Sequence, residues 1–403
     1  MRTPANPTED GQLADILPGL LDFYRDLHAH PEIAFEEVRT TRRVAQELSG
    51  LGYRVTTSAE VTGLVASLEN GAGPVVGLRA DLDALPIVEQ TGLPYAAPPE
   101  LGAKHACGHD LHTTALLGVA RLLAATRQDW SGTLVLIAQP AEETGTGASR
   151  LAASGLLDEH PTPSVLLGQH VGNFDAGTVR SRAGVLMAGQ RNWRITLRGP
   201  GGHASVPHES ANPLTAAAQL ILRIQAITGF ELPAGERAVI TPTTVHAGQA
   251  TNAIPAELTV TVCSRAFSSQ TLDTIDAAVR RITAGVAATE RLEHEIEVFN
   301  PFPLNVNDEA TLARVQAVLE QEFGTYEEMP PMLGSEDFGN LAAHYGIPSA
   351  FWLFGIATAP AVTSPQARSG HSPHFAPDPE QAVPFAVRAL LAVTRSWLGG
   401  WPC

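Results

Sequence analysis

Lysine is almost absent from this chain of 403 residues, which carries Lys104 as its single lysine. The chain has 26 basic and 42 acidic side chains, so its formal net charge is −16. No cluster of lysine and arginine stands out, and a nucleic-acid backbone or an anionic membrane binds to such clusters. We therefore expect neither nucleic acid nor a membrane as a partner, although one arginine in a pocket can still bind a carboxylate.

Cysteine and long apolar runs are also scarce. Cys107, Cys263 and Cys403 are too few and too far apart for a disulfide framework. No apolar run reaches the roughly 18 residues that cross a bilayer, and the stretch Met1–Pro7 lacks the apolar core of a signal peptide. Hydrophobic residues make up 44% of the chain, which is enough for a core. We predict a soluble cytoplasmic protein in which Cys107 is free for chemistry.

The first 190 residues alternate helical patterns with short apolar runs. The pattern predicts helices at Leu20–Leu27, 37–49 and Leu111–Arg127. It predicts strands at Tyr53–Thr57, Gly63–Leu68, Val75–Arg79, Thr133–Ala138 and Val165–Gly168. Strands that alternate with helices are typical of an α/β fold with a mainly parallel or mixed sheet.

The segment from 191 to 303 has a different order of elements. It reads strand, helix, strand, strand, helix, strand at Arg191–Arg198, Asn212–Ile227, Ala238–Val245, Glu257–Arg265, Leu272–Ala288 and His294–Phe299. This β-α-β-β-α-β order is that of ferredoxin-like domains. The α/β pattern then returns, with helices at 308–323, after Glu336 and at 382–398 and a strand at Ser349–Phe354. We predict an α/β domain formed by 1–190 and 304–403, interrupted by an α+β domain at 191–303.

The densest polar cluster is His105-Ala-Cys107-Gly-His109-Asp110-Leu-His112. In an extended segment Cys107 and His109 face the same side, so both can bind one metal ion. Asp110 precedes the helix predicted from Leu111 and is expected to be its N-cap. A helix N-terminus also lowers the pKa of a nearby thiol. The alternative is a buried cysteine beside polar capping residues.

Two further candidates follow predicted strands at their carboxyl ends. Glu142 and Glu143 come after Thr133–Ala138, and His170 comes after Val165–Gly168. Side chains at such strand ends project into the crevice where α/β proteins bind ligands. One glutamate can ligate a cation while the other takes a proton from water. The alternative for the glutamate pair is a solvated loop.

Histidines far downstream complete a possible ligand set. His371 and His374 cannot be separated by spacing, and either could cap the closing helix or be exposed. Thiolate, imidazole and carboxylate ligands suit zinc, manganese or cobalt. Five such ligands exceed what one zinc ion uses, which favours a two-metal site. Asp81 and Asp83, after the strand Val75–Arg79, could orient a ligand histidine or cap a turn.

The inserted segment contributes three candidate functional residues with polar side chains. His203 stands on a glycine-rich turn that lacks the features of a phosphate loop, and it could donate to an oxyanion. Arg265, near a strand end, could bind a carboxylate with two hydrogen bonds. Asn252 lies in a turn. Turn chemistry for Asn252 and an exposed ion pair for Arg265 are the alternatives.

Six motifs in this order resemble the di-metal aminoacylase/carboxypeptidase family. They are Leu78–Pro86, His105–His112, Gln139–Glu143, Gly202–His208, Gly334–Phe338 and His371–Pro373. The chain is most similar to the branch of hippurate hydrolases, N-acyl-amino-acid amidohydrolases and auxin-conjugate hydrolases, from about residue 20 to 398. The resemblance implies a zinc-peptidase-like α/β catalytic domain interrupted by a ferredoxin-like lid that mediates dimerisation.

The resemblance also implies roles for individual residues. The metal ligands would be Cys107, His109, Glu143, His170 and His371. Glu142 would be the general base, and His203 would steady the oxyanion in the partner subunit's site. Asn252 and Arg265 would hold the substrate, while Asp81, Asp83 and Asp110 would support the ligands. Two divalent ions per subunit are expected, zinc or manganese, with cobalt or nickel as alternatives.

Three positions differ from common family patterns. The broader family has His-x-Asp where this chain has Asp81-Leu-Asp83, and Cys107 replaces an acidic bridging ligand. Both changes fit the branch. Asn212 stands where the branch often has Asp before Pro213, which alters a helix cap.

The function implied by the resemblance is metal-dependent release of an acyl group from N-acyl amino acids. The expected partners are a small-molecule substrate and further copies of the chain, in a homodimer or higher homo-oligomer. Two alternatives are kept: a metallo-carboxypeptidase or dipeptidase, and a non-catalytic amide- or peptide-binding protein on the same fold.

Overall fold

The computed structural model describes residues 7–400, with side chains from residue 11 onward. Cys403 and residues 1–6 of the N-terminal stretch lie outside the described residues. The described chain forms two compact units. The main unit comprises residues 7–186, 306–330 and 337–400, and the inserted unit comprises Met187–Asn305 and Pro331–Glu336. Within the described part, no helix has both the length and the apolar character that crossing a bilayer requires.

Within residues 7–400 the α-helices are, in chain order, α1 (Pro7–Ala29), α2 (Val38–Gly50), α3 (His109–Ala125), α4 (Gly147–Ala153), α5 (Pro213–Gln225), α6 (Ile227–Phe230), α7 (Ser269–Glu290), α8 (Glu309–Phe323), α9 (Gly339–Tyr345) and α10 (Pro379–Trp397). Four of them begin at a side chain that accepts a backbone N–H, which satisfies one of the unpaired donors of a helix start. These residues are Asn212, Ser268, Asp308 and Asp378. Asn212 therefore caps α5.

The strands of the same residues are β1 (Arg54–Thr57), β2 (Leu64–Asn70), β3 (Val75–Asp81), β4 (Gly132–Gln139), β5 (Val165–Gly172), β6 (Val179–Ser181), β7 (Gly184–Met187), β8 (Gly189–Arg198), β9 (Gly202–His203), β10 (Ala238–Ala247), β11 (Ala253–Ile254), β12 (Glu257–Ala266), β13 (Glu293–Phe302), β14 (Asn305–Asn307), β15 (Glu327–Glu328) and β16 (Ser349–Gly355).

The main unit is built on one mixed sheet. Its strand order is β1-β2-β4-β3-β5-β16-β6-β15. The four central strands β4, β3, β5 and β16 are mutually parallel, whereas β2 runs antiparallel to both β1 and β4. The predicted α/β class with a mixed sheet is confirmed. Four parallel strands place four carboxyl ends on one edge of the sheet.

Helices cover this sheet and bury its central strands. All eight residues of β4 are buried, as the continuous apolar run of a strand covered on both faces requires. Among the helices of the main unit, α3 packs against α1 and α10. Gly118 allows the approach of α3 to α10, because a Cβ there would lie 2.5 Å from Cγ2 of Val387. This packing fixes the start of α3, where several candidate residues lie.

The inserted unit is a four-stranded antiparallel sheet with two long helices, α5 and α7. The strand order β10-β12-β8-β13, together with the chain order β-α-β-β-α-β, is that of a ferredoxin-like domain. Buried residues alternate along β12, as expected for a sheet that is apolar on one face only. Its core includes Trp193, Leu220, Val260 and Ile275.

Candidate metal centre and active site

The candidate ligands of the main unit come together at the carboxyl edge of the sheet. The ligand atoms of Cys107, His109 and Glu143 lie within 4.8 Å of one another. His170 Nε2 is 3.5 Å from the Cys107 Sγ, and His371 Nε2 is 3.3 Å from Oε1 of Glu143. All five side chains named from the sequence thus form one cluster. His170 lies within β5, because that strand continues beyond the predicted end at Gly168.

The structure distinguishes the two downstream histidines, His371 and His374, by their contacts. His371 lies against Glu143, and its backbone N–H donates to the carbonyl of Ala106 at 2.8 Å. Its φ of +61° is a left-handed conformation that non-glycine residues rarely adopt, and strained backbone of this kind gathers at functional sites. His374 instead contacts the carbonyl oxygen of Gln90 through Nδ1, at 3.1 Å. His371 is therefore the histidine of the cluster.

The imidazoles of His109 and His170 are oriented by oxygen atoms behind them. His109 Nδ1 lies 2.8 Å from the carbonyl oxygen of Asp83, and His170 Nδ1 lies 2.7 Å from that of Val171. Each Nδ1–H donates to that oxygen, so each Nε2 is directed at the cluster and can bind a metal ion once its proton has left. The His109 Nε2 is buried and lies close to the Cys107 thiol. A buried nitrogen of this kind, beside a thiol and a carboxylate, fits a divalent transition-metal ion.

The electrostatics of the cluster also favour a cation. Burial and the Glu143 carboxylate oppose ionisation of the Cys107 thiol, but the charge of His170 and hydrogen bonds with His109 and His170 lower its pKa to about 6. Hydrogen bonds with Cys107 and Glu143 raise the pKa of His371 to about 10. The neighbouring histidines therefore favour the thiolate form of Cys107. Thiolate and carboxylate together stabilise positive charge at this position.

Behind the cluster, Asp81 links two buried side chains of the main unit. Its carboxylate contacts Nδ1 of His112 and accepts a hydrogen bond from Arg79, both at 2.7 Å. The neighbouring charges of His109, Arg79 and His112 overcome burial and hold the pKa of Asp81 well below its usual range. Asp81 thus carries a negative charge close to the cluster.

His112 is the fourth histidine near this cluster, and the sequence assigned it no role. Its Nε2 accepts the Val171 N–H at 3.0 Å, while Nδ1 faces Asp81. Both ring nitrogens therefore already have partners, so His112 supports β5 rather than presenting a free lone pair. Its spacing from His109, three residues along α3, was the available signal that the two rings are neighbours.

Asp83 connects a ligand histidine to the glutamate pair. Its Oδ1 is 3.1 Å from both Nδ1 of His109 and the N–H of Glu142, and its Oδ2 accepts the N–H of Glu143 at 3.0 Å. Glu142 and Glu143 begin a short 3₁₀ turn that follows β4, and Glu142 is buried. The backbone of the glutamate pair and the ring of His109 are thereby fixed relative to one carboxylate.

The predicted N-cap at Asp110 is wrong. Helix α3 begins at His109, and the N-cap position is held by Gly108 in a left-handed conformation at φ +85°. A Cβ at Gly108 would lie 2.9 Å from Cγ2 of Val171, so close packing as well as φ requires glycine. Asp110 lies in the first turn and contacts Nδ1 of His28 at 2.7 Å.

His28 and Asp110 belong to a buried ionic network that the sequence did not reveal. His28 Nε2 lies 3.1 Å from Oε1 of Glu89, and Lys104 Nζ lies 3.0 Å from the same oxygen. The single lysine of the chain is fully buried. Its isolation in the sequence, next to the densest polar cluster, was the only signal.

The candidate residues of the inserted unit lie at turns and strand ends. His203 in β9 pairs with Ala253 in β11, and its Nδ1 accepts the N–H of Ser205 at 3.1 Å. The carbonyl of Asn252 accepts the N–H of Ala204, so Asn252 and the segment after His203 are neighbours. Arg265 in β12 donates from Nη1 to the carbonyl of Leu333 at 2.6 Å. The alternative of an exposed ion pair at Arg265 does not match this contact.

Comparisons with known proteins agree on one family. The profile of Peptidase family M20/M25/M40 matches residues 77–396. The chain is 34% identical over 391 residues to IAA-amino acid hydrolase ILR1-like 4 of Arabidopsis thaliana, covering 95% of this chain and 87% of that protein. It is 35% identical over 324 residues to N-acetylcysteine deacetylase of Bacillus subtilis (strain 168), covering 79% and 84%.

A solved structure extends this likeness to the fold. The YXEP protein of Bacillus subtilis, a dinuclear metal binding peptidase of the M20 family, matches with a TM-score of 0.75 at 30% identity, covering 95% of this chain and 99% of that one. The resemblance predicted from six motifs is thus confirmed. This chain belongs to peptidase family M20/M25/M40 and is a hydrolytic enzyme.

Proposed function

We propose that this protein is a metal-dependent amidohydrolase that releases the acyl group from N-acyl amino acids. The observation that carries the proposal is the convergence of one thiol, three imidazoles and a carboxylate, with the buried residue Glu142 directly before the carboxylate Glu143 in the chain. The printed names of two relatives support the substrate class, because both describe amides formed between an acyl group and an amino acid.

The five clustered side chains are the proposed metal ligands: Cys107, His109, Glu143, His170 and His371. Two bound divalent ions, zinc or manganese with cobalt or nickel as alternatives, would polarise the scissile carbonyl and make water more acidic. His109 and His170 would bind through Nε2, since their Nδ1 atoms are engaged with carbonyl oxygens. Asp83 would keep the His109 ring in the orientation that binding requires.

Glu142 is the proposed general base. It would take a proton from the attacking water as the new C–O bond forms, and return it to the amine nitrogen as the C–N bond breaks. Its burial removes competing solvent, and Asp83 fixes its backbone. His203 is proposed to donate to the oxygen that gains negative charge. Asn252 and Arg265 are proposed to bind the carbonyl and the carboxylate of the substrate.

The test is Glu142→Gln, measured on hippurate with added Mn²⁺ or Zn²⁺. We expect the variant to keep its metal and to lose roughly 10²- to 10⁴-fold in kcat, the usual contribution of a positioned base. Glu36→Gln, a substitution at an exposed glutamate, is the control. Chelation should abolish activity and metal addition should restore it. A metal-loaded E142Q enzyme with wild-type kcat would show that the base is misassigned.

A substrate panel separates the proposal from its alternatives. N-acetyl, N-benzoyl and long-chain N-acyl amino acids are compared with dipeptides under the same metal conditions. Faster turnover of the acyl compounds supports the amidohydrolase. Preference for dipeptides would indicate a peptidase, and no turnover of any compound would contradict the proposed substrate class.

We further propose that the inserted unit acts as a lid and joins two copies of the chain. The solvent face of α5 carries Leu214, Ala218 and Leu222 at intervals of four residues, and Leu222 is 70% exposed. Helix α5 packs against β10, an outer strand of the inserted sheet with an edge available for pairing. An apolar stripe beside an open strand edge suits a self-complementary dimer interface.

Leu222→Glu tests this assembly by light scattering after size exclusion. We expect wild type to be a dimer and L222E to dissociate, because a charge would be buried in the interface. Leu101→Glu, at an exposed leucine of the main unit, should leave the assembly unchanged. A wild-type protein that is monomeric and fully active at assay concentrations would contradict the dimer and the partner-subunit role of His203.

A further inference from the structure

The loop that carries the glutamate pair begins at a residue in an unfavourable conformation. Ala141 has φ +51° and ψ +40°, the left-handed region, and is completely buried. The Cβ of an L-residue crowds the backbone in this region, which is why glycine is usual there. Such a residue persists only when the surrounding structure holds it. The atoms that hold Ala141 therefore decide where Glu142 and Glu143 point.

Glu37 supplies one of those atoms from a distant part of the chain. Its Oε1 accepts the N–H of Ala141 at 2.8 Å, and its Oε2 accepts the hydroxyl of Thr62. Glu37 occupies the N-cap position of α2, yet its side chain makes no cap hydrogen bond. The carboxylate is completely buried, and it is directed toward the loop rather than toward its own helix.

Asp83 holds the next two N–H groups, those of Glu142 and Glu143, at 3.1 and 3.0 Å. Three successive N–H groups around a left-handed residue form a concave site that attracts anions. Here two carboxylates, Glu37 and Asp83, occupy that site together. Asp83 also contacts a ligand histidine, whereas the contacts of Glu37 include the backbone at the start of the loop and Thr62.

Close packing leaves this loop no alternative path. A Cβ on Gly63 would lie 2.6 Å from both the carbonyl oxygen of Ala138 and the Cδ of Pro140. The N–H of Gly63 donates to Oγ1 of Thr41, in the first turn of the helix that begins after Glu37. On the other side, a Cβ on Gly147 would lie 1.7 Å from the carbonyl oxygen of Pro140. A change at Glu37 is therefore transmitted to the glutamates.

We propose that Glu37 is a positioning residue for hydrolysis: by holding the N–H of Ala141, it fixes the left-handed backbone that orients Glu142 and Glu143. The inference deepens the function proposed above and rests on it. Glu37 acts through the loop backbone and touches neither substrate nor metal. Its length and its acceptor oxygen are what the role requires, while its charge is not.

Three substitutions at Glu37 separate these requirements. Glu37→Gln keeps the length and an oxygen for the N–H of Ala141, and its amide can donate to the hydroxyl of Thr62. Glu37→Asp keeps the charge but is shorter by one methylene, so the carboxylate no longer reaches the loop. Glu37→Ala removes the acceptor. Glu32→Ala is the matched control, since Glu32 accepts the N–H groups of Arg39 and Thr40 in the same helix start but not those of the loop.

The experiment measures kcat and KM on hippurate at saturating metal, well below the Tm of each variant. We expect E37D and E37A to lose about 10- to 100-fold in kcat with little change in KM, as for a displaced catalytic group. E37Q and E32A should stay close to wild type in kcat, although E32A should lower the Tm. Equal kcat for E37D and E32A, or an E37Q as slow as E37D, would overturn the inference.

Two further measurements keep the result decisive. Thr62→Val removes the hydroxyl partner of Glu37 without changing the loop itself. This variant replaces E37D if E37D does not fold. A reduced kcat of T62V supports the inference, and a wild-type kcat of T62V overturns it. E142Q is assayed in parallel. An active E142Q means that the proposed function fails, whereas an inactive E142Q with a fully active E37D means that only the role of Glu37 fails.

Discussion

Asp83→Asn perturbs the centre of the proposed active site with almost no change in shape. Asp83 accepts three donors through two oxygens: His109 Nδ1 and the N–H of Glu142 at Oδ1, and the N–H of Glu143 at Oδ2. Asparagine replaces one of these oxygens with an NH₂ group. Whichever way the amide is turned, at least one buried N–H then faces another donor.

The cost follows from this geometry. One charge-assisted hydrogen bond is lost and one buried donor is left unsatisfied, which together destabilise the site by about 1–3 kcal/mol. If the amide replaces Oδ1, His109 retains only the carbonyl oxygen of Asp83, 2.8 Å away, to orient its ring. Loss of such support lowers metal affinity by roughly 10- to 100-fold. Misorientation of Glu142 should lower kcat in addition.

Metal affinity is measured by competition with a chromophoric chelator, and kcat is measured on hippurate at saturating metal. Asp22→Asn is the control, because that side chain is 81% exposed and distant from the cluster in sequence. We expect D83N to bind metal more weakly and to remain slow even when loaded. A D83N enzyme with wild-type metal affinity and wild-type kcat would refute the assignment of Asp83 as the support of both His109 and Glu142.

Two further predictions concern residues that pack against or bind the loop carrying Glu142 and Glu143. Gly147→Ala would place a Cβ 1.7 Å from the carbonyl oxygen of Pro140, so it should lower the Tm and abolish most activity. In contrast, Gly285→Ala in α7 should not lower the Tm, because an added Cβ there would meet no atom within 4 Å apart from the backbone of its own helix and its chain neighbours. Equal Tm values would contradict the packing argument. For Glu37, burial and the charge of Asp83 raise the pKa from 4.5 to about 7. The folded protein therefore keeps a proton that the unfolded chain releases, and wild-type stability falls by up to about 3 kcal/mol as the pH rises from 4.5 through 7. E37Q lacks this loss, so its Tm relative to wild type should increase over that range in thermal unfolding; an offset independent of pH would contradict the shifted pKa.

Much of the main unit was predictable because its signals are local. The apolar run Thr133–Ala138 predicted β4, and the polar residues after it had to lie at the edge of the sheet where a parallel strand ends. The short outer strands β6 and β15 were missed, since three or two residues show no periodicity. They form only because neighbouring strands offer hydrogen-bond partners.

The helix start at His109 shows the limit of local reasoning. Asp110 had the right residue type for an N-cap, but the backbone at Gly108 turns the chain one residue earlier, against Val171 in a different strand. The carboxylate was then available for His28, which lies 82 residues away along the chain. No pattern within ten residues of Asp110 contains that information.

The sequence by itself determined which chemical groups exist and in what order, because residue type, spacing and periodicity are properties of neighbouring residues. The sequence was enough to predict the family, the mixed sheet and the thiol, imidazole and carboxylate groups that are the candidate ligands. Residue spacing could not separate His371 from His374, and although the family resemblance named His371, only the tertiary structure shows it against Glu143. Tertiary structure alone decided which nitrogen of His109 and of His170 is directed at the cluster, and that Glu37 holds Ala141. Those outcomes depend on atoms that are adjacent in space while their residues are tens to hundreds apart in the chain, so only the packed fold specifies them.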